Sequence, residues 1–151
     1  MKILVIILVL TGLLVAEPVK IKNFDELMDA FKGGYQVRAV IDYGKCKLVS
    51  DNEEKKSPKA IGGINVDAWE YFEEMAIGNP QAFVVFSTAK LINYRGWIYN
   101  YAKFKVTAEN KVIMTAQYAD TKTFEVDMDE KFFTDINDGD NDGACNFYYE
   151  K

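Results

Sequence analysis

The most constraining feature of this sequence is a series of short segments in which every second residue is apolar. They begin after Gly62-Gly63 and recur at regular spacing up to residue 128, separated by turn residues such as those at 109–110 and 120–122. This alternation matches the period of a β-strand, whose successive side chains point to opposite faces. Short strands joined by tight turns form an antiparallel meander. The sequence predicts an α+β fold, mostly antiparallel β, whose meander curls into a barrel or a sandwich.

Two details of the alternation lead to further predictions. The clearest alternation covers residues 124–128 and predicts a strand with one apolar face. In the preceding aromatic strand, the apolar positions change parity between Tyr101 and Phe104. A change of parity is typical of a β-bulge, so we expect a bulge near Ala102-Lys103.

One helix is predicted ahead of the meander. Asn23 can cap its first turn, Glu26 lies three residues later as in a capping box, and Gly33-Gly34 end it. Apolar residues recur inside it at spacings of three and four: Phe24, Leu27, Met28 and Phe31. This stripe predicts an N-terminal helix that packs on the sheet.

The first sixteen residues have the pattern of a cleavable secretory signal. Met1-Lys2 precedes an apolar stretch at 3–10, and Ala16 lies before Glu17-Pro18. The stretch is shorter than the roughly 20 apolar residues that a membrane span needs. We expect cleavage after Ala16, with residues 1–16 as signal peptide and 17–151 as a single secreted, extracellular domain without a transmembrane anchor. An uncleaved signal anchor is the alternative.

Only two cysteines are present, Cys46 and Cys145. Export passes them through an oxidising compartment, so we expect a disulfide between them. The alternatives are two buried free thiols, a redox pair or an intermolecular bridge. A catalytic thiol is not expected, because neither cysteine lies in a C-x-x-C spacing.

Composition excludes several functions. The chain has no histidine, the usual general base near neutral pH, and it shows no phosphate-binding glycine loop or nucleophile motif. Its formal charge of -5 disfavours a nucleic-acid partner. We therefore expect a non-enzymatic monomer without a cofactor, whose protein or small-molecule target the sequence does not reveal.

An acidic segment near the C-terminus resembles the start of a calcium loop. Asp138, Asp140 and Asp142 alternate before Gly143, but Tyr149 occupies the position of the bidentate glutamate. We interpret the segment as a solvated Asx/Gly turn and keep the three aspartates as a weak calcium candidate.

A cluster of aromatic residues with one cation is the candidate binding site: Tyr94, Arg95, Trp97, Tyr99 and Tyr101. Such residues form recognition surfaces or the mouth of a barrel. At alternate positions of a strand, aromatic residues are also typical of a core, and that interpretation stays open.

Residues 24–34 and 37–46 resemble the VirK family of small exported, virulence-associated proteins in residue order and spacing. The similarity continues through several later segments: Gly62-Gly63-Ile64-Asn65-Val66-Asp67, Phe86-Ser87, Tyr101, Lys111-Val112 and Asp135-Ile136. In the family pattern a second cysteine precedes the final acidic turn, where this chain has Phe133-Thr134. Cys145 lies beyond that turn, which implies a re-sited disulfide.

The resemblance implies export, a single domain and a non-enzymatic role, and it supplies no ligand. Our leading hypothesis is a secreted VirK-like binding protein that acts as a virulence-factor-like or toxin-like effector. The alternative is a secreted carrier of a small apolar ligand in the interior of a β-barrel.

Overall fold

The computed structural model describes residues 17–151, so the predicted signal peptide lies outside the described residues. Within them the chain forms one α-helix, one short 3-10 helix at Tyr43–Lys45, and eleven strands. The helix and strands, in chain order, are β1 Val19–Ile21, α1 Phe24–Lys32, β2 Val37–Asp42, β3 Lys47–Ser50, β4 Glu53–Lys55, β5 Ile61–Val66, β6 Trp69–Phe72, β7 Phe83–Asn93, β8 Trp97–Thr107, β9 Lys111–Asp120, β10 Val126–Asp135 and β11 Cys145–Tyr149.

The strands form two open sheets. One has four strands in the order β1-β11-β2-β5, and the other has seven in the order β4-β3-β10-β9-β8-β7-β6. All neighbouring strands within them are antiparallel. The mostly antiparallel β fold with one α-helix is thus confirmed. Of the two expected arrangements, barrel or sandwich, the barrel is wrong, because β4 and β6 end the long sheet without pairing with each other.

The helix begins and ends where the sequence predicts. The Asn23 side chain accepts a hydrogen bond from the backbone N–H of Glu26 at 2.9 Å, and the Glu26 carboxylate accepts one from the N–H of Lys22 at 2.8 Å. The backbone N–H of Gly33 then donates to Asp29 O at 2.8 Å and closes the last turn. These local bonds pair backbone groups at both ends of the helix and so help it to bury its apolar stripe.

The helix and both sheets share one core, centred on Phe86 of β7. Its ring centroid lies 5.0 Å from that of Phe104 in the same sheet. It also lies 6.2 Å from the rings of Phe31 on the helix and Phe147 in the four-stranded sheet. Side chains fill the space between the layers, and Phe104 and Phe147 are fully buried. The hypothesis of a carrier with a ligand in a barrel interior is therefore wrong.

Strand β8 contains no bulge. Its pairing with β7 and with β9 continues without a register shift through Ala102 and Lys103. The parity changes because the strand changes environment: Phe104 and Val106 point inward to the core, whereas Trp97, Tyr99 and Tyr101 point to the opposite face. The predicted bulge is wrong, and the pattern instead marks the place where the strand leaves the core.

The far halves of the long strands extend beyond the core. No residue of 87–103 or 115–131 is fully buried, although each range lies within or between strands of ten or eleven residues. Of β7, only residues 83–86 pair with β6, and of β10, only residues 130–133 pair with β3. We call residues 87–103 and 115–131 the distal hairpins.

The segment with the clearest alternation lies at the end of the second distal hairpin. Phe124 is in a turn with φ 60° and β10 begins only at Val126. A register shift between Val126 and Met128 then interrupts the pairing with β9. The prediction of a regular strand with one apolar face over 124–128 is therefore wrong, because the turn and this bulge separate its three apolar residues.

The charged stretch at 51–59 is solvated, as expected for a stretch without large apolar residues. Its one regular element is β4, a three-residue edge strand whose side chains are all exposed. Lys47 of the neighbouring β3 forms an ion pair with Glu54 at 2.9 Å. Short, charged edge strands of this kind disfavour pairing with another molecule.

Asn110 ties the β8–β9 turn to the helix. Its Oδ1 accepts a hydrogen bond from the backbone N–H of Phe24 at 2.7 Å, and its backbone O accepts one from the N–H of Ile136 at 2.9 Å. Its φ of 64° lies in the left-handed region, which asparagine tolerates better than most residues.

Asn110→Ala is expected to lower the free energy of unfolding by about 2–3 kcal/mol, because it removes the hydrogen bond to the helix and strains the backbone. Asn110→Gly removes the hydrogen bond without the strain, so about 1 kcal/mol is expected. Urea denaturation of the two variants beside the wild type measures both losses. Equal losses would contradict the contribution of backbone strain.

Candidate binding surface

The helix and the four-stranded sheet cover only one face of the long sheet, here called the inner face. The other, the outer face, is open to solvent, and on the distal hairpins it holds a row of apolar side chains. Leu91, Tyr99, Ala119 and Val126 are direct neighbours in this row across four strands. Trp97, two residues before Tyr99, lies beside the row and is 60% exposed.

Phe124 completes this surface. Its ring is nearly parallel to that of Tyr99, with centroids 6.2 Å apart, and its side chain is 67% exposed. We call Leu91, Trp97, Tyr99, Phe124 and Val126 the outer aromatic patch. All five are exposed on strands or turns held by backbone pairing, so the patch has a defined shape without being part of the core.

The five residues of the predicted binding site divide between two places. Trp97, Tyr99 and Tyr101 follow one another along the outer face of β8. Tyr94 and Arg95 lie in the turn between β7 and β8, where the guanidinium carbon of Arg95 is 5.3 Å from the ring centroid of Tyr94. Tyr94 contacts Tyr118, an inner-face residue, with centroids 5.8 Å apart. The structure therefore brings three of the five together.

A groove continues the surface from the patch toward the middle of the sheet. It has a volume of about 400 Å³ and runs along β7 on the outer face. Val85 and Ser87 of β7 form its floor, Tyr101 and Lys103 of β8 form one wall, and Glu70 of β6 lies on the other. The groove thus joins an aromatic ring, a cation, a hydroxyl and a carboxylate.

A row of side chains that begins in the groove and crosses the sheet contains two lysines. Ser87, Lys103, Thr115 and Lys131 are direct neighbours in one row across β7, β8, β9 and β10. Among the ion pairs of residues 17–151, none includes Lys103 or Lys131. One row further, the ammonium of Lys105 lies 4.1 Å from the ring centroid of Phe83. The row therefore presents two ammonium groups that no carboxylate of the described chain neutralises.

Several residues of this surface were not predicted from the sequence. Leu91, Phe124 and Val126 belong to apolar alternations typical of core strands, and Lys103 and Lys131 were not predicted as site residues. One signal could have found Lys103: the parity change after Tyr101 assigns residues 97, 99, 101 and 103 to the face opposite the core. Strand pairing then places Leu91 beside Tyr99, but that register is not visible in a single strand's sequence.

The two cysteines are free thiols in the structure, so the predicted disulfide between them is wrong. Cys46 Sγ donates a hydrogen bond to Asp42 O at 3.5 Å, and Cys145 is fully buried opposite Ile41 in the four-stranded sheet. Burial, with a smaller contribution from the Asp42 carboxylate, raises the pKa of Cys46 to about 11. Burial also raises the pKa of Cys145, so both thiols are poor nucleophiles.

The acidic segment forms a loop held by its own side chains. The Asp138 carboxylate accepts hydrogen bonds from the N–H groups of Asp140 and Asn141, both at 2.8 Å, and these bonds lower its pKa. No cluster of three metal-ligating side chains occurs within residues 17–151. The turn accounts for Asp138 without an ion; the weak calcium candidate at Asp138, Asp140 and Asp142 stays a prediction.

The backbone geometry explains why residue 143 is a glycine. A Cβ there would lie 2.7 Å from the backbone oxygens of both Asp135 and Ile136, where no side chain fits. The glycine that resembled position six of a calcium loop is therefore required by the close approach of two backbone segments.

Iodoacetamide at about pH 8 is expected to label Cys46 and Cys145 at least tenfold more slowly in the native protein than in guanidinium chloride, because burial disfavours the reactive thiolate. Mass spectrometry of the alkylated protein counts the modified thiols. The denatured protein should take up two labels without a reducing agent. A protein that takes up none until it is reduced would contain the disulfide and contradict the free thiols.

These observations define a class: a small, open, two-sheet β protein with one helix in its core and an exposed aromatic face. A family model described as VirK protein matches residues 20–124, and the chain therefore belongs to the VirK family. The matched range contains the helix, β7, β8 and β9, and ends at Phe124 of the outer aromatic patch.

The fold is also similar to a crystal structure of a VirK family protein from Legionella pneumophila. The two are 17% identical, with a TM-score of 0.63, and the match covers 85% of this chain and 98% of the other. At that identity the likeness concerns the fold alone. No curated protein matches the chain significantly. Within residues 17–151, no helix has the length and apolar character that crossing a membrane requires.

Proposed function

We propose that the protein is a secreted, non-enzymatic binding protein that contacts its partner with the outer face of the distal hairpins. The observation that carries the proposal is the outer aromatic patch. Five large apolar side chains lie exposed on the distal hairpins, in which no side chain is fully buried. Contiguous apolar surface of this kind marks interaction sites in soluble proteins.

The stability of the fold does not explain why the outer aromatic patch is exposed. Each exposed ring leaves apolar area in water that burial would remove at roughly 25 cal/mol per Å². The four long strands could end near residues 87, 103, 115 and 131 without losing a fully buried side chain. The distal hairpins therefore add surface, not core, and a binding role gives that added surface a use.

Three observations support a non-enzymatic role. The chain has no histidine, and the two thiols are buried with raised pKa values. In the groove, Ser87 has no histidine available as a base, and the ordinary Ser-His pairing cannot form. The Lys103 and Glu70 side chains that line the groove suit binding by charge and hydrogen bonds.

The proposal also states where the protein acts, which is outside the cell that produces it. The pattern of residues 1–16 supports export, and membership of a family named for virulence supports an effector or toxin-like role against another organism. An exported protein that works by contact needs an exposed, pre-formed surface, and the outer aromatic patch is one.

Export predicts a defined N-terminus. Protein recovered from the medium of producing cells is expected to begin at Glu17, because signal peptidase cuts after a small residue such as Ala16. N-terminal sequencing or intact mass measurement checks this directly. Full-length protein that begins at Met1 and stays inside the cells would contradict both secretion and cleavage.

Trp97→Ala combined with Phe124→Ala is expected to abolish capture of a partner from target-tissue membranes or soluble extract in a pull-down. Because both side chains are exposed, the stability should change by about 0.5 kcal/mol or less for each substitution. Circular dichroism melts check the stability, and the captured material is compared with that of the wild type.

A matched control lies in the 73–80 loop. Met75 and Ile77 are 66% and 67% exposed, so Met75→Ala with Ile77→Ala removes similarly exposed apolar side chains elsewhere on the surface. This double variant should retain capture. Equal capture by both double variants and the wild type would contradict a role for the outer aromatic patch.

A further inference from the structure

We propose that the outer face binds a linear, uronate-containing polysaccharide. Its sugar rings would lie along Trp97, Tyr99 and Tyr101, and its carboxylates would reach the row of Lys103 and Lys131. The inference rests on the proposed function, because it names the ligand of the same face.

The three aromatic residues form a straight platform. They occupy alternate positions of β8, so successive rings start about 7 Å apart along the strand. Strand β8 pairs with β7 at all three positions and with β9 at Tyr99 and Tyr101, which holds these backbone positions in place. A line of rings on the solvent-facing side of a sheet suits a chain of flat repeating units, and the apolar faces of pyranose rings pack on aromatic side chains.

Polar side chains beside the platform suit a ligand rich in hydroxyl groups. Ser87 and Asn93 lie on the outer face of β7, and Thr115 and Gln117 lie on that of β9. Hydroxyl and amide groups both donate and accept hydrogen bonds, as sugar hydroxyls do. Polar groups of this kind therefore flank the aromatic line on both sides.

The lysine row at one end of the platform indicates that the polysaccharide is acidic. Two other lysines of the outer face are neutralised: Lys111 pairs with Asp135 at 2.9 Å and Lys47 pairs with Glu54 at 2.9 Å. The ammonium of Lys105 instead lies over the ring of Phe83. Lys103 and Lys131 share one row and take part in none of the ion pairs within residues 17–151. An ammonium without a carboxylate partner is complementary to a carboxylate on the ligand.

Other classes of ligand fit the same face less well. A nucleic-acid duplex carries one charge per about 1.7 Å of its axis, and the two lysines of the row, which lie beside Glu70 and Asp129, can neutralise few of these charges. An extended peptide would add to the free edge of β7, over residues 87–93, and would not need a line of rings on the sheet face.

The experiment uses the protein's own fluorescence. The chain has two tryptophans: Trp69 stacks on Phe31 with centroids 5.0 Å apart and is 36% exposed, and Trp97 on the platform is 60% exposed. Quenching by acrylamide is measured with increasing polygalacturonate and, in parallel, with dextran as an uncharged polymer. We expect polygalacturonate to protect the fluorescence at low salt and dextran to protect it at least tenfold more weakly. Trp69→Phe should retain the protection, which assigns the signal to Trp97.

Two charge variants test the lysine row. Lys103→Gln with Lys131→Gln is expected to weaken binding of polygalacturonate at least tenfold. Lys22→Gln with Lys151→Gln, which changes the net charge equally but lies beside β1 and β11, should retain wild-type binding. If both double variants weakened binding equally, net charge alone would explain the effect. That result would overturn the assignment of the ligand's carboxylates to Lys103 and Lys131.

The outcomes separate this inference from the proposed function. Equal binding of dextran and polygalacturonate, binding of neither, or protection by RNA or an acidic peptide instead would overturn the acidic polysaccharide. In each case a pull-down that still depends on Trp97 and Phe124 would leave the outer face as the binding surface. Loss of that dependence would overturn the proposed function itself.

Discussion

The contact on which the rest of the structure depends is the packing of Phe86 against three other phenylalanines. Phe104 is its neighbour in the long sheet, Phe31 comes from the helix and Phe147 from the four-stranded sheet. Each of these three layers has one apolar face that is unstable in water by itself. Because they meet at Phe86, the inner face of the long sheet is buried near its middle, and the outer face must be open to solvent.

The open face follows from a mismatch of lengths. Strands β7 and β8 are eleven residues long, whereas β6, which ends that side of the sheet, has four. The helix and the short sheet cover only the near half of the long strands, and backbone pairing alone continues into the distal hairpins. Pairing keeps their shape but buries little, and this combination of order and exposure is what a binding surface needs.

Part of the candidate binding surface was visible in the sequence, and each wrong prediction has a physical cause. Trp97, Tyr99 and Tyr101 stood out by their alternation, but their exposure did not, because the same alternation is typical of a core. The predicted disulfide followed from the compartment alone, and the geometry of the two thiols depends on strands that are far apart in the chain. The glycine of the acidic loop suggested an ion, whereas the backbone at Asp135 and Ile136 requires it.

The sequence by itself determined what depends on neighbouring residues: the capped helix at 24–32, most of the strands and turns, and the resemblance to the VirK family. These features are local, because hydrogen bonds to caps and the period of a strand involve residues a few positions apart. Only the tertiary structure decided which side of each strand is buried, that the sheets stay open, and that aromatic residues and lysines of four strands share one face. Those outcomes require contacts between residues far apart in the chain, and an isolated segment carries no record of its partners.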